Sequence, residues 1–275
     1  MAEQAAHLAH QRRALILEAL RRDGAVRVAE LVTGLGVSDM TVRRDLDVLA
    51  RRGALEKVYG GAVATGGASG HEPGFDAKSV LAGAAKAAIA AAAATLVEPG
   101  GVVAVSGGTT AHAVAARLLA VPRLTILTNS LPVAELVRNA AREGDGTGPT
   151  LLLTGGTPTP SAALVGPLAD QAIGSLHVDL LVLGAHGVTE RAGLTTPNLA
   201  EAQTNRALVA SARRVVAVAD HTKWGVVGLS GFAPLERLDW FVTDSGLPPE
   251  AREVLGASVG ELLIAGPERD ADPTE

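Results

Sequence analysis

The sequence predicts a mixed α/β protein in two parts. An N-terminal winged helix-turn-helix occupies residues 1–62, and a larger parallel-sheet α/β domain occupies residues 78–275, with a linker over 63–77. Three observations predict this. The first 62 residues run helix, helix, turn, helix, hairpin. The stretch "ATGGASGH" at 64–71 is small-residue chain of the kind that joins domains. Beyond it, nearly continuous apolar strands alternate with helices, the pattern of a parallel sheet covered on both faces.

Taken in order, Gln11–Arg22 places Leu15, Ile16, Ala19 and Leu20 on one helical face, and Asp23-Gly24 ends it. Val28–Thr33 is a second, short helix with Val28, Leu31 and Val32 turned inward. Gly34–Val37 is a turn. Ser38 is placed to cap the next helix by accepting from first-turn amides, and that helix runs to about Arg52, before Gly53. "ALEKVYGGAV" then alternates around a Gly60-Gly61 turn, a small hairpin.

The third helix carries Arg43-Arg44 beside acids at Asp39, Asp45 and Asp47. At about 100° per residue, Leu46 and Leu49 fall within about 40° of Val42 and form the core face. Met40, Arg44, Asp47 and Arg51 fall opposite, with Thr41 and Arg43 on the flanks. The arginines therefore point away from the core, where they can enter a groove of duplex DNA. Recognition helices read base edges from their N-terminal half, and Arg is the commonest bidentate partner of guanine. The candidate DNA contacts are Ser38, Met40, Thr41, Arg43, Arg44 and Arg51, with Lys57 and Tyr59 from the hairpin. Charge distribution agrees. Residues 1–62 hold 10 Lys/Arg against 8 Asp/Glu, whereas the remainder holds 14 against 21 in a chain of net charge −5, as suits a small DNA reader on an acidic domain.

In the second part, strands are predicted at Val102–Val105, Leu124–Thr128, Leu151–Thr154, Leu180–Leu183 and Val215–Ala219, with shorter ones near Phe241–Thr243 and Leu262–Ile264. Helices are predicted at Lys78–Val97, Ala111–Leu119, Pro132–Arg142 and Leu199–Ala212. Hydrophobic residues make up 47% of the chain and aromatics 2%, so the core is built from Ala, Val and Leu. There is no cysteine, which excludes disulfides and thiolate chemistry. The N-terminus lacks a charged-then-apolar leader, and the longest apolar run, Ala84–Val97, holds Lys86 and is too short for a bilayer. A cytoplasmic protein with no membrane association is expected.

Ligands of open α/β sheets bind beyond the carboxyl ends of the strands. "SGGTT", Ser106, Gly107, Gly108, Thr109 and Thr110, follows the first strand and opens a helix, a cradle for a phosphate. It is neither a dinucleotide fingerprint nor a nucleoside-triphosphate loop. Asn129 follows the second strand, Gly155 and Gly156 the third, and Asp220 and Lys223 the fifth. Glu201 and Arg206 lie on the helix after the fourth. Together these suit a polyhydroxy phosphate ester. The seven histidines show no metal spacing, no nucleophile motif is present, and no catalytic residue, metal or cofactor is assigned.

With both halves in place, "VSDMTVRRDLDVLARRGALEKVYGGAV" and, in order, "GGTT", "LTNSL", "LLLTGG", "LVGP", "EAQTNRALV" and "ADHTKWG" resemble the DeoR family of bacterial sugar-metabolism regulators across residues 10 to 245. The resemblance implies a sensor domain similar in fold to ribose-5-phosphate isomerase and glucosamine-6-phosphate deaminase, and a repressor released from its DNA operator by a phosphorylated sugar. Three positions depart from the family pattern: Ser106 stands where an Asp is common, Asn205 where a Lys is common, and Tyr59 where the wing usually has His. Because one recognition helix reads few base pairs, a homo-oligomer of two or more copies is expected. The alternative is a sugar-phosphate isomerase or deaminase fused to a DNA-binding module, with Asp220, Glu201 and Lys223 as acid–base groups.

Overall fold

A computed structural model describes residues 9–23, 25–58, 61–63, 75, 79, 82–143 and 148–266. The chain forms two compact units, Met1–Leu81 and Ala82–Glu275. The linker expected over 63–77 lies almost wholly outside the described residues.

The first unit contains α1 (Ala9–Asp23), β1 (Ala25–Arg27), α2 (Val28–Leu35), α3 (Asp39–Arg51), β2 (Glu56–Val58) and β3 (Gly61–Val63). Ile16, Leu20, Val28, Leu31, Val42, Leu46, Leu49 and Leu55 form its core, so the apolar periodicity seen in the sequence is the packed face of each helix. α2 runs two residues beyond Thr33 and stops at Gly36, whose φ of 65° is the left-handed cap conformation that glycine adopts without steric cost. Ser38 caps α3, accepting from the Thr41 amide at 3.3 Å. β1 was not anticipated. It pairs antiparallel with β3, which pairs with β2, in the order β1-β3-β2. This corrects the expected Gly60-Gly61 turn: Gly61 opens β3, while Tyr59 and Gly60 lie outside the described residues. A Cβ on Gly61 would sit 2.1 Å from the Val26 carbonyl oxygen, so the residue is glycine because two backbones meet there.

Asp45, only 2% exposed, ties α1 to α3. Its carboxylate accepts from Arg12 Nε at 2.9 Å and Arg13 Nε at 2.8 Å. One acid on α3 therefore serves orientation, because its two charged partners reach it only when the helices cross at this angle.

The second unit is built on a seven-stranded parallel sheet ordered β15-β14-β12-β9-β4-β5-β6. Its strands are β4 (Val102–Val105), β5 (Thr125–Thr128), β6 (Thr150–Leu153), β9 (Val178–Gly184), β12 (Ala212–Val218), β14 (Trp240–Asp244) and β15 (Glu261–Ala265). One face packs against α4 (Gly83–Ala94), α5 (Thr109–Leu118) and α6 (Leu131–Glu143) through Ile89, Val114, Leu118, Val133, Val182 and Val218. The other packs against α7 (Pro167–Gly174), α8 (Leu199–Ser211) and α9 (Pro249–Ser258) through Ile173, Leu208, Leu255, Leu181 and Val215. α4 is shorter than the expected Lys78–Val97, and β12 begins three residues before Val215. Two small additions had no strong sequence signal: the hairpin β7 (Thr157–Pro158) and β8 (Leu164–Val165), and the antiparallel sheet of β10 (Gly187–Thr189), β11 (Gly193–Thr196) and β13 (Ser230–Ala233). The chain winds outward through β4, β5 and β6 and then returns to the far side of β4 as β9. This puts the topological switch point, where ligands of such sheets bind, between β4 and β9. Among the described residues no helix is long and apolar enough to cross a membrane.

Replacing Asp45 with Ala would leave two largely buried guanidinium groups without their shared acceptor. The expected loss is about 2–4 kcal/mol, read as weakened amide-exchange protection confined to α1 and α3.

Candidate functional site

Two candidate sites emerge, one in each unit. In the first, Val42, Leu46 and Leu49 of α3 are buried while Met40, Arg43, Arg44, Asp47 and Arg51 are exposed, matching the helical-wheel expectation. Thr41 is half-buried, and the Ser38 and Thr41 hydroxyls lie 2.9 Å apart at the start of the helix. Two exposed cations are held by acids of the same unit: Arg43 by Asp39 at 2.5 Å and Lys57 by Asp47 at 2.5 Å. The hydrogen bonds from Arg43 and Lys57 hold the Asp39 and Asp47 carboxyls below the ordinary aspartate value, so both are ionised at neutral pH. Arg44 pairs with no described residue. Tyr59 lies outside the described residues.

In the second unit the loop after β4 lies at the switch point. Gly108 has φ 122° and ψ 153°, open only to glycine, and it turns the chain directly into α5. The first-turn amides of Thr109, Thr110 and Ala111 have no acceptor within the helix and face the sheet's carboxyl edge with the positive end of the helix dipole. The neighbouring predicted residues have other duties. The Gly107 amide donates to Asn129 Oδ1 at 3.1 Å. The Ser106 hydroxyl accepts from the Gly184 amide at 3.0 Å and donates to the Gly107 carbonyl at 3.1 Å, lacing the ends of β4 and β9 together. Asn129 also donates to the Leu164 carbonyl at 3.0 Å. Through these contacts Ser106 and Asn129 shape the loop, and the first-turn amides from Thr109 onward are left facing the carboxyl edge.

Asp220 follows β12 on the face covered by α4 and α5, because residues alternate along a strand and Val216 and Val218 pack into that core. It is 3% exposed. Burial pushes its carboxyl up, but the charge of Lys223, the Thr222 hydroxyl and the charge of Lys86 outweigh burial and hold it below 3.8. Lys86, 6% exposed, was not among the predicted site residues. It lies in the first turns of α4, amid alanines, and only its burial marks it. A lysine inside an apolar run is a weak signal, but it was the one available. His112, one turn into α5, is pushed down by burial and so adds no positive charge at neutral pH.

Other predicted residues lie elsewhere. Gly156, with φ 121°, lets the chain pass β8, since a Cβ would sit 2.7 Å from the Val165 carbonyl oxygen, and Gly155, with φ 73°, precedes it. Glu201 is 7% exposed and accepts from the hydroxyls of Thr159, Ser161 and Thr196, which fastens the β7–β8 hairpin to α8. Arg206 donates to the Ser230 hydroxyl at 3.0 Å and the Gly231 carbonyl, and it lines a separate cleft of about 310 Å³ beside β13. The structure thus gathers Gly108, Thr109, Thr110, Lys86, Asp220 and Lys223 at one edge, and it engages Arg206 and Glu201 in other contacts.

The DeoR-like helix-turn-helix domain matches residues 12–66, and the DeoR C terminal sensor domain matches residues 82–245. An uncharacterized HTH-type transcriptional regulator, YgbI, of Escherichia coli K12 is 36% identical over 93% of this chain and 97% of its own length. A putative aga operon transcriptional repressor of Escherichia coli O157:H7 is 33% identical over 93% and 94%. The glycerol-3-phosphate regulon repressor of Escherichia coli K12 is 30% identical over 89% and 94%. Among solved structures, ribose 5-phosphate isomerase A of Methanocaldococcus jannaschii aligns with a TM-score of 0.37 and 18% identity over 50% of this chain and 53% of that one.

A carboxyl whose folded-state pKa is depressed stabilises the fold above its unfolded value and loses that contribution as pH falls through the folded value. Asp220→Asn should therefore cost about 1–3 kcal/mol at pH 7. The gap from the natural protein should narrow as pH drops below 3.8, as read by urea unfolding followed through Trp224 and Trp240.

Proposed function

The chain belongs to the DeoR family of DNA-binding transcriptional regulators, and from that premise we propose that it is a repressor released from its operator by a phosphorylated sugar or similar small anion. The observation that carries the ligand reading is the edge at the switch point. First-turn amides of α5 and an obligatory glycine lie at the same carboxyl edge as a buried, ionised carboxylate that has two lysines near it. The amides and lysines suit a phosphate dianion, and Asp220 suits sugar hydroxyls, which need an acceptor. Relatives named for an aga operon and for a glycerol-3-phosphate regulon are consistent with effectors of that class.

Binding without turnover fits this pocket better than an isomerase or deaminase. An efficient general base has a pKa near the working pH, whereas Asp220 is held below 3.8. Glu201, the other carboxylate considered, is enclosed by three hydroxyls. An assembly of at least two copies gives the DNA contact its specificity, since one recognition helix reads too few base pairs for a genome. The boundaries 1–62, 63–77 and 78–275 remain our working division of the chain.

On the DNA side, Arg44 contacts base edges, while Ser38, Thr41 and Arg43 hold α3 on the duplex, with Met40, Arg51, Lys57 and Tyr59 around them. Arg44→Ala should cost roughly 1–3 kcal/mol and relax preference at one base position, measured by anisotropy on a cognate duplex and its single-base variants. An unchanged preference would remove Arg44 from base reading.

On the ligand side, Thr109→Asp sets a carboxylate against the incoming anion. A sugar phosphate at 100 times its Kd stabilises the natural protein by about 2.7 kcal/mol. The variant should show no thermal shift with the same compound while binding DNA with unchanged affinity. A persisting shift would place the anion elsewhere.

A further inference from the structure

We propose that Asp47 is a specificity residue of the DNA-reading unit, keeping the wing cation Lys57 from phosphates in loose complexes and fixing the wing against α3 in the seated one. The inference rests on the reading of α3 and the wing as the DNA-contacting elements. Lys57 Nζ on β2 lies 2.5 Å from Asp47 Oδ1 on α3, so one ion pair spans both elements. Its side chains are 42% and 51% exposed, and Asp47 stands on the outward face with Arg44 and Arg51, opposite Val42 and Leu46. The carboxylate therefore has no role in the core. An exposed pair of this kind adds little to stability, so its value must lie in what the face does.

Binding to an arbitrary sequence rests on phosphate contacts. Each cation that meets a phosphate releases a condensed counterion and adds about 0.9 to the salt slope. A lysine already neutralised by its own carboxylate releases none until it leaves that partner. The carboxylate it abandons then lies within a Debye length, about 8 Å at physiological salt, of the phosphates and repels them. This cost falls on complexes that have only phosphate contacts. The seated complex keeps the pair and gains a wing already set at the right angle to α3, with base contacts from Arg44 supplying the affinity. Asp47 thus lowers affinity for arbitrary DNA more than for the cognate site.

The test uses the full chain, a duplex selected by the natural protein from a random pool, and a scrambled duplex, titrated between 50 and 200 mM salt. Asp47→Asn should bind the scrambled duplex roughly threefold tighter, with a salt slope steeper by about 0.9. The ratio of selected to scrambled affinity should fall. Asp47→Ser should repeat this, and Lys57→Gln added to Asp47→Asn should remove both the gain and the steeper slope. An unchanged slope, weaker binding to both duplexes by one factor, or a gain that survives Lys57→Gln would each overturn the proposal. Loss of base reading by α3 itself would instead be registered by Arg44→Ala, so the two failures are separable.

Discussion

The sensor unit depends on one buried side chain, Asn129. At 1% exposure it joins three segments: its own loop after β5, the loop after β4 through the Gly107 amide, and the β7–β8 hairpin through the Leu164 carbonyl. The hairpin returns a backbone bond from the Leu164 amide to the Asn129 carbonyl at 2.6 Å. A side-chain amide can donate and accept at once, which an ionised carboxylate could not do here. Fixing Gly107 leaves Gly108 to make the whole chain reversal, hence its φ of 122°, and aims the free amides of α5 at the carboxyl edge. Ala163 then closes over the loop, where a Cβ on Gly107 would meet its methyl at 2.8 Å. The loop after β4 is therefore held in place by residues outside it.

This explains both what the sequence disclosed and what it concealed. The periodicity of α1 and α3, the Ser38 cap and the apolar runs of β4, β5, β9 and β12 are local patterns, and local patterns survive in a single sequence. The "TNS" loop was legible as polar residues at a strand end, but polarity alone does not separate a residue that touches a ligand from one that shapes the loop. Ser106, Asn129 and Glu201 make loop-shaping contacts, and only their partners reveal them. β1 was missed because three residues carry no period, and its pairing with β3 is nonlocal. Lys86 was hidden for the opposite reason. It interrupts a strong local pattern, so its environment, a charge beside Asp220 on the next layer, had no counterpart along the chain.

The acids around Arg43 and Arg44 now have separate roles. Asp45 is inward and sets the crossing of α1 on α3, Asp39 holds Arg43 within one helical turn, and Asp47 holds Lys57 across to the wing. Arg44 and Arg51, also on this face, make no ion pair or hydrogen bond with a described residue. A basic face left wholly unpaired would bind any duplex, and tight binding of that kind is hard for a ligand to undo. To shift an equilibrium from 1:99 to 99:1, a ligand must prefer one state by about 5.5 kcal/mol. A reader that pairs part of its basic face with its own carboxylates binds arbitrary DNA less tightly and leans more on base contacts. Typical coupling between two sites is only about 1–3 kcal/mol, so weaker background binding leaves less for any effector to overcome. The carboxylates of α3 thus limit how much of the face's positive charge is available to phosphates.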